Sequence, residues 1–360
     1  MSHHNSQKIG KLLFKSASIL SVGICCHTAC GVDFDAYKPD KSGKTDVSDI
    51  LQEAVSNAAM TDKVLLLSPG RYWLAKPVVI QFNNMIISSK ITVSPAAVYL
   101  QGYQTGPSRE TLITPEAPAK TEAILVAQKT HHLTIVGITF EHSVVGIKGD
   151  HAIALSKIIN CAFFNCDYGI KAEPLQVVTI SGSSFDHGKF GILARDGGQF
   201  VKPRPGTKGP RRNRSNLVYI HDCTFRRLSE YAVEIEGSPT NVRDCLFENS
   251  DGGAIRLFDI YVSNIVGCYF EGSAMKGNPL ISVSPFQLPE GHNGQLNVYG
   301  NQINACGGEA IIHVGKGSQL HVYDNRVAVS SSKGQVLVKA EESGEHIKSE
   351  NNITRDSSIP

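Results

Sequence analysis

Five short segments, GIKGD (146–150), GIKAE (169–173), GILARD (191–196), VEIEGS (233–238) and AIRLFD (254–259), hold the residues whose types could do chemistry. If each is a strand with its aliphatic residues turned inward, alternation sends Lys148, Lys171, Leu193 or Arg195, Glu234 with Glu236, and Arg256 outward onto one face. Such a set suits elimination from a uronate. There a cation neutralises the carboxylate beside the acidic C–H, a base removes that proton and the bonded oxygen leaves. Lys148, Lys171 and Arg256 are the candidate catalytic residues. Arg195 is a candidate substrate contact, and Glu234 and Glu236 are candidate oxygen ligands for calcium, the alternative neutraliser. Alternating charges on an exposed sheet are equally an ordinary solvated surface.

Glycoside hydrolysis needs two carboxylates about 5–9.5 Å apart. Glu234 or Glu236 with Asp259 could supply them, but no Asp-Asp pair occurs anywhere in the chain. His187, in Asp186-His187-Gly188, is a further candidate substrate contact. So are Arg211 and Arg212 in RDGGQFVKPRPGTKGPRRNR (195–214), which holds seven Lys or Arg against one acid, a local net of +6. Such a run is either a solvated loop or a wall for a polyanion. It lacks the aromatic interleaving of a nucleic-acid surface, so nucleic acid is not expected as a partner.

The elements that must position these residues repeat. Phe140, Phe163, Phe185, Phe225, Phe247 and Phe270, then Ile303, Val327 and Ile353, follow one another in steps of 23, 22, 40, 22, 23, 33, 24 and 26 residues. Between them lie short β-branched and aromatic runs (LTIVGITF, VVTISGSSF, LVYIHDCTF, LNVYGNQI, LHVYDNRV) separated by Gly, Asn, Asp and Ser. Strands of this size, with no room for crossover helices, bury their apolar faces by stacking each turn of chain on the last. The expected fold is all-β: a single-stranded right-handed parallel β-helix. At about 4.8 Å per coil, nine anchors give a rod on the order of 40 Å long. Two residues before each anchor after Phe140 stand Cys161, Ser183, Cys223, Cys245, Cys268, Asn301, Asn325 and Asn351, a column along the axis. One cysteine per coil is not zinc spacing. Stacked side chains point the same way, so buried free thiols are expected rather than disulfides, with the asparagines hydrogen-bonding along the column.

The N-terminal stretch GVDFDAYKPDKSGKTDVSDILQEAVSNA, followed by KVLLLSPGRYWLAKPVVI, resembles the pectin-lyase-like superfamily of right-handed parallel β-helices, in particular its rhamnogalacturonase and epimerase-like pectate lyase branch. The resemblance spans residues 31–80 by motif and about 133–355 by repeat. It implies an acidic, uronate-containing polysaccharide as partner and a lyase, hydrolase or epimerase activity. A non-catalytic carbohydrate-binding or surface module is the alternative. Thr45 or Asp46 can cap a helix over about 45–60 whose Ile50, Leu51, Ala54, Val55 and Ala58 form one apolar stripe, suited to plugging the end of the solenoid.

With 41% hydrophobic and 19% charged residues and a net charge of +2, the chain has material for a large core and no long-range field. Residues 1–30 read as an export signal: basic KIGKLLFK, apolar SASILSVGICC, then HTACG. Cys30, after Thr28 and Ala29, is a candidate for lipid attachment, although His27 stands where an aliphatic residue is usual. The expected location is therefore outside the cytoplasm: periplasmic, cell-surface or secreted. Residues 31–360 are expected as one monomeric domain without a membrane span, with 90–130 as loops over early coils.

Overall fold

The computed structural model describes residues 31–356, apart from 91–97, 103–119, 196–199, 202–210, 213, 238, 259, 285–293, 305, 316–317, 330–333 and 342–346. The described chain is a right-handed parallel β-helix of three sheets, with 13, 12 and 10 strands. Each coil contributes one strand to each sheet in turn, so every apolar residue lands above its counterpart one coil earlier.

In the second sheet Phe140, Phe163, Phe185, Phe225, Phe247 and Phe270 are in register, continued by Ile303, Val327 and Thr354. The six rings are buried and stack 4.7–4.9 Å apart, within 10° of parallel. They constrain the sheet across the core. A Cβ on Gly169 would lie 2.5 Å from the Phe185 ring, and one on Gly191 2.7 Å from that of Phe225. The Gly-Ile of GIKAE and GILARD therefore answers the phenylalanine column.

The rod is longer than the repeat count implied. Tyr72 and Leu100 precede Phe140 in the same register, and the main path of the first sheet has twelve strands, on the order of 50 Å. Strands Val98–Gly102 and Thr121–Gln128 belong to the coils; the long stretch between them broke the spacing. The last coil also differs by one residue. Ile353 pairs with Arg326 and is 64% exposed, so Thr354 takes the anchor position and Asn352, not Asn351, joins the polar column. Asn351 instead adopts the left-handed turn conformation also found at Asn160, Asp222, Asp244 and Asp324, each just before a column residue. Short polar side chains tolerate that geometry.

The column's four cysteines, Cys161, Cys223, Cys245 and Cys268, are free and buried, and burial pushes the Cys161 thiol up to about 12. Each polar rung accepts the backbone N–H of the rung before it. Cys161 N donates to Ser183 Oγ at 3.1 Å, Cys268 N to Asn301 Oδ1 at 2.9 Å, Asn301 N to Asn325 Oδ1 at 3.0 Å, and Asn325 N to Asn352 Oδ1 at 3.1 Å.

The capping helix is Ser48–Met60, which buries Leu51, Ala54, Val55 and Ala58 and leaves Ile50 partly covered. Asp46 lies one residue outside the cap position, yet its Oδ1 accepts Ser48 N at 2.9 Å and Ala75 N at 3.1 Å. No helix among the described residues is long and apolar enough to cross a membrane.

Candidate active site

The third sheet carries one outward row through eight successive coils: Lys148, Lys171, Leu193, Glu234, Arg256, Ser282, His313 and Lys339. The triplet Ile170-Lys171-Ala172 recurs as Ile312-His313-Val314 and Val338-Lys339-Ala340, with both flanking aliphatics in register. That triplet is the signal by which alternation could have extended the row to His313 and Lys339. Beside it runs an outward aromatic row. Tyr168 and Phe190 stack at 5.5 Å and 5°, and Tyr231 stands one rung further.

At the centre lies Glu234, its side chain 3% exposed. Arg195 Nε meets its Oε1 at 2.5 Å, and Arg256 Nη1 its Oε2 at 3.4 Å. The Arg256 guanidinium lies 4.5 Å over the Tyr231 ring and 5.6 Å from that of Phe258, while Arg195 lies 4.5 Å over Phe258. Burial pushes the Glu234 carboxyl above its ordinary range, and the two arginines only partly offset it. The Tyr231 phenol is also pushed up by burial and donates to Pro279 O at 3.1 Å. Glu234 thus holds two guanidiniums in fixed orientations at the edge of a cleft.

That cleft, of about 270 Å³, is lined by Tyr231, Arg256, Ser282, Glu309, His313 and Lys339, with Gly277, Pro279 and Ala310. The Lys339 ammonium meets Glu309 at 2.7 Å, and His313 Nε2 lies 3.7 Å from Glu341. Along the sheet His313 stands two rungs beyond Arg256 and Lys339 one rung further.

The residues singled out from sequence divide into groups. Lys148 and Lys171 occupy adjacent rungs, Lys148 paired with Glu122 at 2.6 Å and Lys171 set 4.7 Å over the Tyr168 ring. Arg256 is three rungs from Lys171, about 14 Å at the usual strand spacing, so the three cannot attend one sugar. Lys148 and Lys171 therefore stand together on the row, apart from Arg256. His187 stands on the second sheet, in Ser184–Gly188, paired with Asp186 at 3.0 Å and edge-on to Phe164, away from the row. The backbones of Arg211 and Arg212 form a two-residue antiparallel ribbon with Val201 and Phe200. Their side chains, the loop between, and Asp259 lie outside the described residues.

Calcium takes six to eight oxygens. Both oxygens of Glu234 are engaged by guanidiniums, and among the described residues no group of three or more His, Cys, Asp or Glu gathers that could hold a metal ion. Glu234 and Glu236 therefore do not fit as a calcium pair. Tyr231, Ser282 and Lys339 line the cleft although sequence reasoning did not single them out.

A family model described as a right-handed β-helix region matches residues 211–358. No curated protein matches the sequence. Among solved structures, the tailspike protein of Acinetobacter baumannii phage AM24 is similar at 13% identity and TM-score 0.62, over 90% of this chain and 54% of that one. A second Acinetobacter phage tailspike is similar at 14% and 0.63, over 92% and 60%. An alginate lyase from Paenibacillus sp. is similar at 12% and 0.56, over 85% and 99%. The chain thus spans little more than half of the tailspike proteins. At these identities the likeness is one of fold.

Proposed function

From the premise that the chain has the right-handed parallel β-helix fold of the pectin-lyase-like superfamily, we propose that it is an exported enzyme cleaving an acidic, uronate-containing polysaccharide by elimination. The polymer lies along the outward row of the third sheet. The observation that carries this reading is the cleft that Arg256, held by Glu234, lines together with His313.

In this reading Arg256 pairs with the substrate carboxylate and stabilises the charge that builds on it as the neighbouring C–H is deprotonated. His313 takes that proton, imidazole being the side chain most often used as a general base. The electron pair forms the C=C bond, the C–O glycosidic bond breaks, and the departing oxygen takes a proton from solvent. Glu234 is a positioning residue. Its burial under two arginines argues against a role as hydrolytic acid, because the carboxyl cannot reach a glycosidic oxygen without breaking both pairs. Export rests on the N-terminal segment, and lipid attachment at Cys30 would show as a mass increment on the mature N-terminus.

Non-catalytic glycan binding is the second reading, favoured by the ion pairs that neutralise Lys148 and Lys339. Mass spectrometry of digested uronate polymers separates the two readings. Elimination yields a fragment one water lighter than the hydrolytic product; a binding module yields no fragments.

A further inference from the structure

Independently of the reading above, we infer that the outer face of the first sheet is a second glycan-binding surface, which takes a single extended chain of an uncharged polysaccharide. Composition sets this face apart. Through six successive coils its central outward column reads Thr179, Tyr219, Asn241, Asn264, Asn297 and His321. Two further outward columns flank it in the same register. The one Lys, Arg, Asp or Glu in all three is Arg243, whose guanidinium pairs with Asp244 at 3.1 Å. The second sheet is the contrast, with Glu141, Asp186, Arg226, Glu248 and Glu271 in a single outward row. A polyion laid on the first sheet would lose hydration with no row of opposite charge to replace it, so the ligand that fits is neutral.

The amides supply the recognition. Asn264 Nδ2 donates to Asn241 Oδ1 at 2.6 Å, and Asn297 Nδ2 donates to Asn264 Oδ1 at 2.9 Å. A primary amide has two N–H groups and two acceptor lone pairs. The half-buried Asn264 therefore keeps one N–H and one lone pair to offer, fixed in direction by the ladder. A sugar hydroxyl donates and accepts at once, and an extended, equatorially linked pyranose chain advances by close to one rung per sugar, so successive sugars meet successive amides. Apolar surface for their C–H faces lies on both flanks. Val262, 46% exposed, follows Leu217 and Pro239 on one side, and Tyr299 and Tyr323 stack at 4.8 Å on the other. Tyr219, 42% exposed, stands one rung before the ladder.

Area decides the kind of partner. The strip is about 13 Å wide and about 24 Å long, on the order of 300 Å², against about 800 Å² per partner in a stable protein complex. That is room for one polysaccharide chain and too little for a folded protein.

The test is calorimetric titration of the full chain with cellohexaose, mannohexaose and xylohexaose, at low and at high sodium chloride. The expected result is saturable binding of at least one of them, unchanged by salt because no charge is screened and undisturbed by excess oligogalacturonate. Tyr219→Ala and Asn264→Leu should each weaken it several-fold. Tyr219 is exposed, so its variant reads binding even if Asn264→Leu loosens the ladder. Binding of none of the three hexasaccharides overturns the inference, as does binding that survives both substitutions or is displaced by oligogalacturonate. Self-association of the unmodified chain in sedimentation, abolished by Tyr219→Ala, also overturns it and makes this face a contact between copies. Each of these failures leaves elimination on the third sheet untouched.

Discussion

The Arg256 guanidinium lies over the ring of Tyr231, 4.5 Å from its centroid. Tyr231 and Glu234 stand on the same strand one coil before Arg256, so the stack and the ion pair together fix the cation. Preorganisation of this kind lets a positive charge act without reorganising as negative charge builds on a bound carboxylate. Arg256→Lys keeps the charge but loses the planar stack and the fork. It should lower kcat by about 10²-fold, with KM changed far less. Steady-state kinetics on the cleaved polymer checks this, and full activity in the lysine variant would show that the stack is incidental.

Lys171→Ala should behave differently. Lys171 stands three rungs from Arg256, so its loss weakens binding along the track and raises KM several-fold while kcat on saturating substrate is kept. Thermal midpoints of both variants should stay close to that of the parent, because both side chains lie on the outer face.

Glu234→Gln separates stability from function. The folded carboxyl is raised by burial, so the folded chain binds its proton more tightly than the unfolded one. Stability therefore falls as pH climbs from the ordinary carboxylate range through the raised value. The glutamine variant lacks this titration. It should match the parent at acid pH, equal or exceed its thermal midpoint at neutral pH, and still lose turnover, because the two guanidiniums are no longer held. A variant that becomes less stable relative to the parent as pH rises would contradict this.

The polar column makes a prediction about the fold alone. Asn325 Oδ1 accepts from Asn301 N at 3.0 Å and Nδ2 at 2.9 Å, and its own Nδ2 donates to Val298 O at 2.9 Å. Asn325→Ala leaves several buried groups unpaired and should cost about 2–4 kcal/mol. Denaturant titration reads this directly.

Gly191→Ala tests the close approach of the third sheet to the phenylalanine stack. Added at Gly191, a methyl meets the Phe225 ring at 2.7 Å, which should cost about 1–3 kcal/mol by overpacking. Ala232, the next residue in that column, is tolerated where it stands.

Much of the fold was legible in the sequence because stacking forces the same residue type onto the same position of every coil. The Phe-rich anchors, the Cys-to-Asn column and the alternation around Lys148, Lys171, Glu234 and Arg256 are consequences of that rule. It failed where chain was inserted between Val98–Gly102 and Thr121–Gln128, and at the last coil, where Asn351 and Asn352 are chemically alike and only the turn conformation distinguishes them. The row was legible, but not which of its members act together. Membership of the cleft depends on rung counts and on the Tyr231 ring supporting Arg256, and neither is a property of any single strand. Nor do residue types alone reveal that both oxygens of Glu234 are taken up by Arg195 and Arg256.

The most direct measurement of the central claim is near-ultraviolet absorbance of uronate polymers incubated with the parent chain and with Arg256→Ala, each with calcium and with chelator. The account predicts a steady rise from the unsaturated uronide with the parent chain, undiminished by chelator and absent in the variant. No rise with any polymer, together with no new reducing ends, would contradict it and leave the third sheet's outer face as a binding surface.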